Sequence, residues 1–245
     1  MIVPMTYLFI ASLLPNFPRQ PFKCMEPGIC KHEDHMNVEP VSKKGELKGS
    51  SVDNAKDLAF ERPRLEPIEK PKGLMLRFVY RFAPRQYGKV PTNLKVLVAR
   101  APKTMSLLSA VGKYEMKGVR LEKQLHYMIA MFVAGTNGCG FCLDFGRMMA
   151  VKDNMSMEKF NALLTYRTSP LFSEKERAAL SYVEEITRNK RVADDTFEEL
   201  RKHYSDWEIV EITTLTAISN FENLLNIPLG IGSDGLCAIA QGRKK

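Results

Sequence analysis

Thr136-Asn137-Gly138-Cys139-Gly140-Phe141-Cys142-Leu143-Asp144-Phe145 is the stretch on which the reading of this chain turns. It follows an apolar helical run and leads straight into a second one. Asn137-Gly138 reads as the turn that ends the first helix, and the cysteines stand where the next helix begins. A helix start leaves N–H groups unpaired and carries a partial positive charge, and both favour thiolate over thiol. A Cys-x-x-Cys in that place is a redox motif. The competing reading is of two small apolar thiols packed at a tight helix–turn–helix junction.

Working outward, Leu125, Met128, Ile129, Phe132 and Val133 recur at helical spacing over about Leu121 to Gly135, and Phe145, Met148 and Met149 continue the pattern to Val151. Later helix starts are marked by Ser156, by Asp194, and by the capping boxes Ser173-x-x-Glu176 and Ser205-x-x-Glu208. Ahead of the motif, Pro71 and Pro91 suit the first turns of two short helices carrying Leu74, Phe78, Val79 and Phe82, then Leu94, Leu97 and Val98. Pro102 opens a third, Lys103 to Lys117, with Leu107, Leu108 and Val111 as its expected buried stripe and Gly118 at its end. Strand signals are weak throughout, so the fold class is all-α.

The 245 residues, 44% of them apolar, suffice for one domain with a core, expected over residues 62–240 as basic helices at 62–118 and a core at 119–240. Residues 1–61 read as a disordered tail. Met1 to Leu14 is apolar but too short to span a bilayer, which argues against membrane contact by the N-terminus. Asn16 to Glu61 is linker-like in composition. Cys24, Cys30, His32 and His35 within it suit zinc by residue type, but their spacing matches no standard finger. Five cysteines make neither a dense disulfide scaffold nor a four-thiolate site, which favours a reducing compartment, the cytoplasm. Cys237 reads as an ordinary core or surface thiol. The net charge of +8 gathers between Arg62 and Lys117. With no nucleic-acid motif beside it, that charge reads first as a solvated helix surface and argues against a nucleic-acid partner.

A faint internal repeat runs at an offset of 84 residues: Leu125, Met128 and Met131 align with Ile209, Ile212 and Leu215, Cys139 and Cys142 with Asn223 and Asn226, and Tyr127 with Glu211. Two helical hairpins about a pseudo-twofold axis would produce it, as would chance agreement among apolar positions.

Gln124 to Val151, with its long helix, Asn-Gly-Cys-x-x-Cys and following helix, resembles the alkylhydroperoxidase D and carboxymuconolactone decarboxylase superfamily. The run Ser169-Pro-Leu-Phe-Ser-Glu-Lys-Glu-Arg-Ala-Ala-Leu, then Trp207-Glu-Ile-Val-Glu and Asn226-Ile-Pro-Leu, is similar to it as well. The resemblance implies an all-helical fold, a homo-oligomer with the cysteine pair near a subunit interface, and a peroxidase or thiol–disulfide oxidoreductase that needs no metal or organic cofactor. Its substrate would be a hydroperoxide or disulfide, and its reductant a partner dithiol, lipoyl or thioredoxin-like. It implies Cys142 as the nucleophile and Cys139 as the resolving thiol.

The active members of that family carry a glutamate twelve residues before the first cysteine and a histidine four after the second. Here those places hold Tyr127 and Gly146. Substitutes are sought in Tyr127 itself, in His126 about 100° round the helix from it, in Asp144 at the helix start, and in Glu211 across the repeat; an outward carboxylate on a capped helix is the plainer expectation for Glu211. Arg147 could favour a thiolate by charge, but its position turns it away. The loss of both relay groups leaves open a second class of function: a non-catalytic oligomer or slow redox sensor whose pair is structural and whose basic helices bind a partner. A decarboxylase or lactone-processing activity of the wider family does not call for the cysteine pair.

Overall fold

The computed structural model describes residues 62–242, so the expectations for the apolar start, the linker and its Cys24, Cys30, His32 and His35 lie outside the described residues. Every regular element within them is helical. Helix α1 spans Leu74–Tyr87, a π-helical turn Leu94–Val98 follows, and α2, Thr104–Lys113, runs on into a second π-turn, Tyr114–Gly118. Then come α3 (Lys123–Asn137), α4 (Gly140–Lys152), α5 (Met157–Asn161), α6 (Glu174–Asn189), α7 (Asp194–Arg201), α8 (Asp206–Asn226) and α9 (Leu236–Gly242). None of these helices is long and apolar enough to cross a membrane.

The molecule is built around α3, which packs against α4, α6 and α8. Its buried set is wider than one stripe, adding His126, Met131 and Ala134 to the five residues read from the pattern, because neighbours surround it. The capping chemistry of its partners follows their sequence. The Ser173 hydroxyl accepts the Glu176 N–H at 3.2 Å while the Glu176 carboxylate accepts the Ser173 N–H at 2.9 Å, and Glu208 accepts the Ser205 N–H at 2.8 Å.

The basic segment differs from expectation in detail. Pro71 stands three residues ahead of α1, while Pro91 directly precedes the helical residues that begin at Thr92, its carbonyl accepting the Leu94 N–H at 3.1 Å. On α2 the buried line runs through Met105 and Ser109, with Leu108 at its edge. Leu107 is 50% exposed, since it lies about 200° round the helix from Met105, which packs on Leu76, Val79 and Val98 in a small satellite core. On α1 the residues Leu76, Val79, Ala83 and Tyr87 face inward, leaving Leu74, Phe78, Arg77 and Arg81 outward.

Of the repeat, α3 and α8 correspond and lie side by side, but α8 continues unbroken to Asn226 past the place where α3 yields to the cysteine turn.

Candidate active site

Gly138 ends α3 in the left-handed conformation (φ 75°), which glycine adopts without a Cβ penalty, and the Cys139 N–H closes back on the Ala134 carbonyl at 2.8 Å. Cys139 is thereby placed as the N-cap of α4, and its Sγ accepts the Cys142 N–H at 3.3 Å. A sulfur here does what a serine oxygen does at most helix starts. The two Cα atoms are 5.3 Å apart and the sulfurs are drawn together as a disulfide pair. Cys139 is 1% exposed, whereas Cys142 is only partly buried, so an incoming molecule meets Cys142.

The polar neighbour of Cys142 comes from the far end of α8. Asn226, 5% exposed, points Nδ2 at the Cys142 Sγ from 3.4 Å and at the Glu222 carbonyl from 3.0 Å, while its Oδ1 is buried without a hydrogen-bond partner. Beside it, Asn137 Nδ2 donates to Asn220 Oδ1 at 3.0 Å and Asn223 Oδ1 at 3.1 Å, tying the end of α3 to α8. Asn226 was legible as the first residue of the Asn226-Ile-Pro-Leu motif and as the repeat counterpart of Cys142, and the two are in contact across that same offset.

The residues sought as relay substitutes are each engaged elsewhere. The Tyr127 hydroxyl donates to Asp153 Oδ2 at 2.5 Å, at the opposite end of α4 from the cysteines, where Lys123 Nζ also meets Asp153 at 2.7 Å. Burial first, then this bond to an acceptor carboxylate, push the Tyr127 phenol well above its usual range, so it stays protonated. His126 is buried beside the Tyr127 ring, its Nε2 3.6 Å from Glu115 Oε1. Asp144 accepts from the N–H groups of Asp234 (3.1 Å), Leu236 (2.8 Å) and Cys237 (2.9 Å) and so anchors the start of α9. The outward carboxylate expected at Glu211 is not found: Glu211 is 9% exposed and accepts the N–H groups of Arg120 at 3.1 Å and Leu121 at 3.0 Å, because the unpaired backbone leading into α3 needs an acceptor there. Cys237 is half-buried, and burial and the nearby Asp144 raise its thiol pKa.

Gly146 explains itself through packing. A Cβ there would lie 2.7 Å from Met131 Cγ, so a histidine at this point requires the Met131 side chain to move. The place of the missing shuttle is thus taken by the Met131 side chain, an apolar group. Among the described residues no group of three or more His, Cys, Asp or Glu side chains is arranged to hold a metal.

The comparisons agree with this architecture. Residues 102–185 match the carboxymuconolactone decarboxylase family. The uncharacterized Escherichia coli (strain K12) protein YnjA is 30% identical over 161 residues, 65% of this chain and 88% of its own length. Among solved structures, Agrobacterium tumefaciens ATU0492, of unknown function and associated with AhpD-type antioxidant defence, is 30% identical with a TM-score of 0.53, over 56% of this chain and 94% of its own. An uncharacterized peroxidase-related protein from Silicibacter, 24% identical, shares the fold alone, with a TM-score of 0.60 over 70% of this chain and 91% of its own. With the cysteine turn between α3 and α4, the capped α6 and α8 and these likenesses together, the chain belongs to the alkylhydroperoxidase D and carboxymuconolactone decarboxylase superfamily.

Proposed function

We propose that the protein is a thiol-dependent oxidoreductase that reduces hydroperoxides, or disulfides, through Cys142 and Cys139. The observation that carries this reading is the asymmetry of the pair: Cys142 is the accessible sulfur and faces an amide donor, while Cys139 is buried behind it as the cap of α4. The Cys142 thiolate, favoured by the helix start and by Asn226, attacks the terminal oxygen of a hydroperoxide. The O–O bond breaks, the sulfur becomes a sulfenic acid, and the departing alkoxide takes a proton. Cys139 then attacks the sulfenic sulfur, water leaves, and the disulfide forms. An external dithiol returns the pair to two thiols and is itself oxidised. The wild-type protein, reduced and mixed with an alkyl hydroperoxide, should consume peroxide and lose two thiols; Cys142→Ser should do neither. Peroxide consumption equal in the two proteins, with no Cys139–Cys142 disulfide formed, would remove the peroxidase reading.

A further inference from the structure

Helix α1 presents a second surface that the packing of the molecule does not use. Successive helical residues are turned by about 100°, so its four buried residues share one side. Arg77, Arg81, Leu74, Arg85, Phe78 and Met75 follow one another, in that order, round an outward arc of about 160°. Two features separate this arc from an ordinary solvated face. Its apolar members protrude: Leu74 is 83% exposed, Phe78 48% and Met75 43%, and the Phe82 ring extends the patch with its centroid 4.2 Å from that of Phe78. Its charge is of one sign. Helix α1 contains no Asp or Glu, Lys70 and Lys72 are exposed just ahead of it, and Glu69, the nearest carboxylate before it in the chain, is already bound to Lys95 at 2.8 Å.

We propose that this face docks on an anionic phospholipid bilayer. Helix α1 lies in the plane of the interface, Leu74, Met75 and Phe78 enter between the headgroups, and Arg77 and Arg81, with Lys70 and Lys72, meet the phosphates. Its 14 residues reach only about 21 Å, short of the ~30 Å hydrocarbon core, so it lies on the bilayer and does not span it. A second copy of the chain fits the face poorly. A twofold contact would set these arginines against their own equivalents, with no carboxylate on the helix to pair with them. A bilayer supplies both halves of what the arc lacks: an apolar medium for Leu74 and Phe78, and phosphate oxygens that a guanidinium binds through paired N–H donors. This docking is independent of what the cysteine pair does.

The full chain should sediment with vesicles of equal parts phosphatidylcholine and phosphatidylserine, and remain in solution with vesicles of phosphatidylcholine alone. Arg77→Gln combined with Arg81→Gln should weaken binding about 5-fold for each arginine removed, the weight of one basic charge near an anionic surface. Leu74→Gln combined with Phe78→Gln should weaken it on the order of 10-fold or more, since two apolar side chains no longer leave water. Val210→Gln, which removes a 63% exposed apolar side chain from α8, should leave binding unchanged. Phe78→Trp reports from the face itself: its emission, read against the wild type with Trp207 alone, should move to shorter wavelength on the mixed vesicles, and this variant carries the test if a double variant does not fold. Equal binding to the two vesicle types overturns the proposal, as does binding that survives loss of Leu74 and Phe78, which reports adsorption by charge or by another part of the chain. An unshifted Phe78→Trp emission overturns it too. So does a lower mass of the Leu74 and Phe78 variant in sedimentation without vesicles, which would make the face a contact between copies.

Discussion

At the scale of single residues, Asn226 and Gly146 set what the cysteine turn can do. Asn226 ties α8 to α4 through its hydrogen bond to the Cys142 sulfur. Hydrogen bonds to charged groups contribute about 1.5–3 kcal/mol, so Asn226→Ala should reduce thiolate formation at Cys142 by roughly 10- to 100-fold at a fixed pH below its pKa. Thiolate absorbance measured against pH in the reduced protein checks this; an unshifted curve would mean that the helix start alone activates the thiol. Gly146→His, which restores the family residue, should fail to gain activity and should cost about 1–3 kcal/mol, because the new Cβ meets Met131 Cγ at 2.7 Å in a closely packed crossing. Chemical denaturation of Gly146→His alone and together with Met131→Ala separates the two effects: the double variant should recover part of the lost stability if the clash is the cause.

At the scale of elements, two buried carboxylates act as caps for backbone that no helix satisfies. Asp144 holds the start of α9 through three N–H groups, and Glu211 holds the entry to α3 through two residues. Removing Asp144 leaves those donors buried without an acceptor, so Asp144→Ala should cost about 2–4 kcal/mol and release α9 first. Amide hydrogen exchange should show protection lost in Leu236–Gly242 before α3; uniform loss across the molecule would contradict a local anchoring role. Helices, their serine caps and the core face of α3 were legible because they depend on neighbours within a turn or two. These long-range caps were not. An aspartate two residues past a cysteine reads as first-turn charge, and nothing local reveals that its partners lie some ninety residues on. The α2 stripe failed for a related reason: helical spacing fits several faces, and only the position of Leu76, Val79 and Val98 selects Met105 over Leu107.

At the scale of the molecule, the site is a meeting of the two halves: the cysteines come from the α3–α4 turn, and Asn226 from the end of α8. The family pattern led to the first half directly; it also marked Asn226-Ile-Pro-Leu, but only the offset that pairs Cys142 with Asn226 hinted that the two halves meet. The Glu222 carboxyl, four residues before Asn226 on α8, ties the stability of the molecule to pH. Glu222 has a folded pKa near 8, above the carboxylate value of the unfolded chain, so the folded state binds the extra proton. Its contribution is therefore fully present below about pH 4.5 and is lost as pH rises toward 8. Glu176 and Glu184 work in the opposite sense: Lys159 and Ser173 hold Glu176 below its usual range, and Tyr166, Arg167 and Arg188 do so for Glu184, against the raising effect of burial. Their stabilisation is present above the ordinary carboxylate range and disappears as pH falls through it. The two trends occupy separate windows, so thermal unfolding of the oxidised wild-type protein should show a midpoint that declines between about pH 5 and pH 8. Glu222→Gln, which keeps the volume and removes the ionisation, should flatten that decline and give the higher midpoint of the two proteins at pH 8, while the acid limb stays as in the wild type. Parallel curves for the two proteins across the whole range would show that the Glu222 carboxyl titrates as it does in the unfolded chain, and that the decline has another source.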